Sequence, residues 1–147
     1  MLKKRLGLEA TEEKWHFPKK IRKYYKIPST LTIPEECREI GNFAGCELKE
    51  VVILPGCKRI GDHAFRNCHN LKKVVIPESV KIIEPEAFAW CDNLEKVEIP
   101  EGVKEIMRGA FRECRKAEIT FYKSSAIGES AFWNCKSRRY VEKETRI

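Results

Sequence analysis

The feature that most limits what this chain can fold into is a unit that returns every 23 residues. Leu48, Leu71 and Leu94, then Ile60, Ile83 and Ile106, then Phe65, Phe88 and Phe111, then Cys68, Cys91 and Cys114 all step by 23. A strict period of this length describes stacked supersecondary units, none of which buries its apolar face alone. Such a chain builds an array, and its function has to be sought on a surface.

Within one unit, Val74 and Ile76 alternate with Lys73 and Val75, the period of two expected of a strand with one face turned inward. Pro77, which lacks an amide proton and fixes its own φ, ends that strand; Pro34 and Pro100 correspond to it, and Pro55 is displaced by one residue. Val80 and Ile83 follow, and then Ala87, Phe88 and Cys91. Their separations of three and four predict a short helical or 3-10 turn, too brief to stand as an independent helix. A strand and a compact turn-helix in about 23 residues make the chain climb one level per unit, so the strands lie side by side and parallel. The expected architecture is an α/β solenoid: a parallel sheet of about five short strands on one face, with helical or 3-10 turns on the other.

The ends are less regular. Leu31, Ile33, Pro34, Cys37, Ile40, Phe43 and Cys46 form a first unit that is two residues short between Ile40 and Cys46. Ile119, Phe121, Ile127, Ala131, Phe132 and Cys135 form a last unit, also two residues short. Five units therefore occupy residues 31–135, flanked by a basic, aromatic N-terminal segment (1–30) and a basic C-terminal tail or cap (136–147).

The phrase Ile60-Gly61-Asp62-His63-Ala64-Phe65-Arg66-Asn67-Cys68, repeated as Ile127-Gly128-Glu129-Ser130-Ala131-Phe132-Trp133-Asn134-Cys135, closely resembles the BspA-type class of leucine-rich repeats. Glu84 and Met107 depart from that pattern where they replace its glycine. The resemblance implies a leucine-rich-repeat solenoid serving as a non-enzymatic recognition module. It also implies a place on the surface of bacteria or parasitic protists, in attachment to host or neighbouring cells.

Charge is distributed unevenly. Residues 1–26 hold nine Lys or Arg against three Glu, and residues 136–147 hold five against two. Residues 27–135 hold 15 against 17 and are therefore slightly acidic. That balance argues against a nucleic-acid groove built from the repeats, which would need clustered cations along one face. The N-terminal stretch from Lys14 to Lys26 interleaves cations with aromatics. Such a mixture suits an anionic membrane or single-stranded nucleic acid, and this is the alternative function. The favoured reading is a cap in which Trp15, Phe17, Ile21 and Tyr24 cover the first unit, with a helix starting at Thr11-Glu12-Glu13 and ending at Pro18. No apolar run is long enough for a spanning helix, and Met1 to Glu9 lacks the apolar core of a signal peptide. The sequence alone thus points to the cytoplasm, whereas the resemblance points to a surface or secreted protein whose leader was removed.

Seven cysteines raise the question of metal or disulfide chemistry. Cys46, Cys68, Cys91, Cys114 and Cys135 share one repeat position, and Cys37 and Cys57 sit where Val80 and Val103 do, so all seven fall at core positions. Rows of parallel side chains are poorly disposed to bridge, and no Cys-x₂₋₄-Cys pair suggests zinc. His63 and His69 fall at variable, exposed positions, as do carboxylates such as Glu84 and Glu86. No phosphate-cradling, metalloprotease or nucleophile-elbow motif occurs, so no catalytic residue, metal ligand or cofactor is expected.

Binding residues are sought on two faces. Outward strand positions give Glu50, Val52, Lys73, Val75, Lys96 and Glu98; the turn side gives Arg66, Trp90, Arg112 and Trp133. The residue types favoured at interface hot spots occur in the second group, whereas the first is mixed in charge, small in size and has none of them. The expected partner is a protein.

Overall fold

A computed structural model describes residues 28–142 of the chain, together with the backbone of two strands, Glu9–Ala10 and Lys14–His16. Each unit contributes two strands to a coil. The longer strands are β3 (Thr30–Ile33), β5 (Glu50–Ile53), β7 (Lys73–Val75), β9 (Lys96–Glu98), β11 (Glu118–Tyr122) and β13 (Ser137–Val141). The shorter ones are β4 (Glu39–Ile40), β6 (Arg59–Ile60), β8 (Ile82–Ile83), β10 (Glu105–Ile106) and β12 (Ala126–Ile127). The short strands form one parallel sheet in the order β4-β6-β8-β10-β12. Its β4 edge is extended by β2 (Lys14–His16), itself paired antiparallel to β1 (Glu9–Ala10).

The long strands alternate as expected. Leu31, Ile33, Val51, Ile53, Val97, Ile99 and Ile119 are essentially sealed from water, while Thr30, Lys73, Lys96 and Glu98 face outward. Proline placement sets strand length. Leu54, with its N–H intact, donates to Ile33 O at 3.0 Å and lets β5 run four residues. Pro77 and Pro100 take the same place in the next two coils, and β7 and β9 stop at three residues.

The helical or 3-10 face does not form; among the described residues the fold is a β-solenoid without helices. The Ala-Phe-x-x-Cys spacing comes instead from two consecutive tight turns per coil, each containing a left-handed residue. His63, Glu86, Gly109 and Ser130 occupy the first such position, with φ between 53° and 62°. Gly45, Asn67, Trp90, Glu113 and Asn134, each just before a ladder cysteine, occupy the second, with φ between 58° and 71°. A right-handed helix cannot contain such residues. The amides are also spent differently. Phe65 N–H donates to Ala87 O at 2.7 Å and Asn67 N–H to Ala89 O at 2.9 Å, so the bonds run between coils. The helix expected from Thr11 to Pro18 is overturned too, because Lys14–His16 is the strand that extends the β4 edge. Phe17, Ile21 and Tyr24 lie outside the described residues.

Along the axis of the coils, Phe43, Phe65, Phe88, Phe111 and Phe132 stack with ring centroids 5.0–6.0 Å apart, the separation of offset aromatic pairs. Phe121 continues the row at 5.0 Å from Phe132. Beside it runs a sulfur row. The thiols of Cys68, Cys91, Cys114 and Cys135 donate to the carbonyls of Phe43, Phe65, Phe88 and Phe111 of the preceding coil, at 3.0–3.4 Å. All seven cysteines are unbridged; six are buried and Cys135 is partly so. Gly61 belongs to the same tight stacking, since a Cβ there would lie 2.3 Å from Ile40 O. Glu84, in the equivalent place one coil on, turns its carboxylate back instead. It pairs with Arg59 at 2.5 Å and accepts Asp62 N–H at 2.7 Å.

Candidate binding surface

The outward sheet is not continuous. β3-β5-β7 form one ladder and β9-β11-β13 another; the amide of Glu95 still donates to Lys72 O at 3.1 Å, but no strand pairing joins β7 to β9. The charges at one register position supply a cause. Glu50 stands opposite Lys73 and Glu118 opposite Lys96, both favourable pairs. Extending the register across the gap would set Lys73 against Lys96, and like charges directly opposite destabilise a ladder. Pro100 also removes the donor that would extend pairing toward Ile76 O, as Leu54 N–H does toward Ile33 O.

The split opens a groove of about 890 Å³ in which the backbone of β7 forms one wall. Core residues come close to the surface at its floor. Val74 and Ile76 are 6% and 7% exposed, against 0% for Val51 and Val97 and 1% for Ile53 and Ile99. Val75 stands at the rim, 39% exposed. Around it lie six cations (Lys72, Lys73, Lys96, Arg115, Lys116 and Lys136) and three carboxylates (Glu95, Glu98 and Glu118). Lys73 is 3.5 Å from Glu50 and Lys136 is 3.1 Å from Glu118, so part of this charge is paired. Of the strand-face residues singled out from sequence, Lys73, Val75, Lys96 and Glu98 line this groove, while Glu50 and Val52 lie one strand away on β5. Lys72, Glu95, Arg115 and Lys116 precede the strands, and counting outward strand positions alone does not find them.

The turn side is arranged differently. Arg66 and Arg112 hold their guanidinium groups 5.0 and 5.2 Å from the centroid of the Trp90 ring, so two coils clamp the indole of the one between them. The repeat position shared by the arginines carries Ala89 in that middle coil. Arg66 Nε lies 3.4 Å from Glu86 Oε2, an ionic contact too poorly aligned for a hydrogen bond, and Arg112 Nε is buried with no partner among the described residues. Glu86 also meets His63 Nε2 at 3.2 Å, while His63 Nδ1 meets Asp62 at 2.9 Å. With side chains only 17% exposed, Glu84 and Glu86 are not the solvated turn carboxylates the sequence suggests. Trp133 stands apart at 61% exposure.

Other titratable groups are tied into the coil stack. Asp92 is partly desolvated, which by itself raises its pKa, yet the hydrogen bond from His69 and the fields of His69 and Arg115 hold it below the usual carboxylate value. Its contact with His69 Nδ1 is 2.6 Å. Burial pushes the Cys114 thiol well up, and the adjacent Cys114 together with burial pushes Cys135 up. Among the described residues no group of His, Cys, Asp or Glu is placed to hold a metal ion, and no helix is long and apolar enough to cross a membrane.

These features define a class: a parallel β-solenoid whose coils stack Phe and Cys rows inside and present strands outside. The sequence model of the BspA-type leucine-rich repeat region matches residues 19–139 in six copies, one more than the units counted above, and the chain belongs to that family. Among solved structures, a leucine-rich cell surface protein of Faecalibacterium prausnitzii superposes with a TM-score of 0.73 at 27% identity, over 90% of this chain and 36% of its own. A leucine-rich repeat protein of Eubacterium ventriosum gives 0.68 at 28% identity, over 76% of this chain and 32% of its own. The T. pallidum leucine-rich repeat protein, at 21% identity and TM-score 0.74, shares the fold over 88% of this chain and 64% of its own. The chain thus spans about a third of the length of the first two. No curated protein matches it by sequence.

Proposed function

We propose that the chain is a non-catalytic module that binds a protein partner through the outward strand face, around Glu50, Val52, Lys73, Val75, Lys96 and Glu98. The observation that carries this reading is the groove between β7 and β9, where apolar core residues and clustered charge meet. Family membership and the name of the F. prausnitzii relative support a cell-surface setting, and adhesion or recognition of another cell is the purpose this reading adds. In this reading the repeats carry the surface, with Lys136 and β13 beyond residue 135 continuing it. Arg66, Trp90 and Arg112 are read as a structural clamp, because each face of the indole already holds a guanidinium. Trp133 is left as the accessible residue of the turn side.

The test is affinity capture with purified chain followed by direct binding to each captured partner. Lys73→Glu with Lys96→Glu is expected to abolish binding while circular dichroism stays native. Trp90→Ala with Trp133→Ala is expected to preserve it. The reverse pattern assigns binding to the turn side and contradicts the proposal.

A further inference from the structure

We infer that the β7/β9 groove recognises an extended acidic peptide segment of a partner protein, with apolar side chains interspersed among its carboxylates. This rests on the outward-face reading and goes further by naming the chemistry bound. Three observations lead to it.

Charge is the first. Residues 27–135 are slightly acidic as a whole, yet the groove gathers six cations against three carboxylates. Lys73 and Arg115 are paired with Glu50 and Glu113 outside the lining and Lys136 with Glu118, which leaves Lys72 and Lys96 with no ion partner among the described residues and Lys116 held by a 2.7 Å hydrogen bond to Asn93. A local excess of positive charge on a neutral-to-acidic scaffold selects and steers an anionic ligand.

The floor is the second. Val74, Val75 and Ile76 present apolar surface at the bottom and rim of the groove. A phosphate polymer has nothing to place there, whereas a peptide has an apolar side chain next to each charged one. Glu95 and Glu98 within the same lining would also repel a uniform polyanion.

The split ladder is the third. β7 and β9 each offer the other an edge without strand pairing, and Lys73 and Lys96 hold the same position in the two strands. A carboxylate of the ligand at this edge meets the ammonium groups of Lys72 and Lys96. The groove runs past the starts of β9, β11 and β13, where Glu95, Arg115, Lys116 and Lys136 lie, so the ligand crosses several coils and must be extended.

The experiment uses the full chain and a fluorescein-labelled decapeptide that alternates Glu with Val and Phe, followed by fluorescence anisotropy. Controls are the same peptide with Lys in place of Glu, an all-Glu decapeptide, a single-stranded oligonucleotide and vesicles of anionic phospholipid. Saturable binding of the Glu/Val/Phe peptide is expected, with the Lys peptide silent and the all-Glu peptide at least about tenfold weaker. Lys96→Gln and Lys72→Gln are each expected to weaken binding by about tenfold, and Val75→Asp to abolish it. Equal binding of the all-Glu peptide, preference for the oligonucleotide or vesicles, or indifference to Lys96→Gln in a chain of native circular dichroism overturns the inference. If the peptide fails while Lys73→Glu with Lys96→Glu still abolishes capture of a partner, the acidic-peptide assignment falls and the outward-face reading stands.

Discussion

Each coil reaches the one before it through a sulfur atom. The thiol of Cys91 donates to Phe65 O at 3.1 Å, a carbonyl that already accepts Cys68 N–H at 3.3 Å within its own turn. Cys91→Ala removes the donor and leaves a small void, and is expected to cost about 1–2 kcal/mol in urea-denaturation free energy; an unchanged midpoint would remove sulfur from the account. The same burial has a pH consequence. The Cys114 and Cys135 thiols are raised above the ordinary 9.0, so their contribution is fully present below that value and is lost as pH rises from there toward the folded values. Stability should accordingly decline above about pH 9, and replacing both residues by Ala should flatten the decline in a pH series of thermal melts. The core position of all seven cysteines is legible in the 23-residue period, whereas the carbonyl that each ladder thiol reaches belongs to a neighbouring coil and leaves no local trace.

At the scale of the element, the turns and the broken ladder set the shape. The spacing of Ala64, Phe65 and Cys68 fits a helix as well as it fits two tight turns, because both place residues three or four apart on one side. What decides between them is the left-handed pair His63 and Asn67, and non-glycine residues seldom advertise that conformation. Asn67→Val is expected to destabilise the array by about 1–2 kcal/mol and Asn67→Gly to be nearly neutral; chemical denaturation of the two variants checks this, and equal losses would contradict the assigned backbone. The split between β7 and β9 is likewise half legible. Lys73 and Lys96 can be aligned from sequence, but that their repulsion prevails over pairing is a property of the assembled sheet. Lys96→Thr removes the like charge and adds a strand-favouring residue. Amide hydrogen exchange in β7 and β9 should slow in that variant, and unchanged exchange would mean that charge does not cause the split.

Across the whole molecule, a regular inside supports an irregular outside. Five phenylalanines, five ladder cysteines and paired strand rows make every coil a copy of its neighbour in the core, which is why the period alone reveals the scaffold. The binding groove arises where the outward residues depart from any period, and its lining draws on segments from Lys72 to Lys136 that no single repeat reveals. Lys73, Val75, Lys96 and Glu98 are reachable by counting outward strand positions; Lys72, Glu95, Arg115 and Lys116 become neighbours only when the coils stack. The most direct test of the account is a hydrogen-exchange footprint of the full chain bound to a purified protein partner. Protection concentrated in residues 72–76 and 95–98 is the predicted result. Protection confined to the turn side around Arg66, Trp90 and Arg112, with β7 and β9 exchanging as in the free chain, would contradict it.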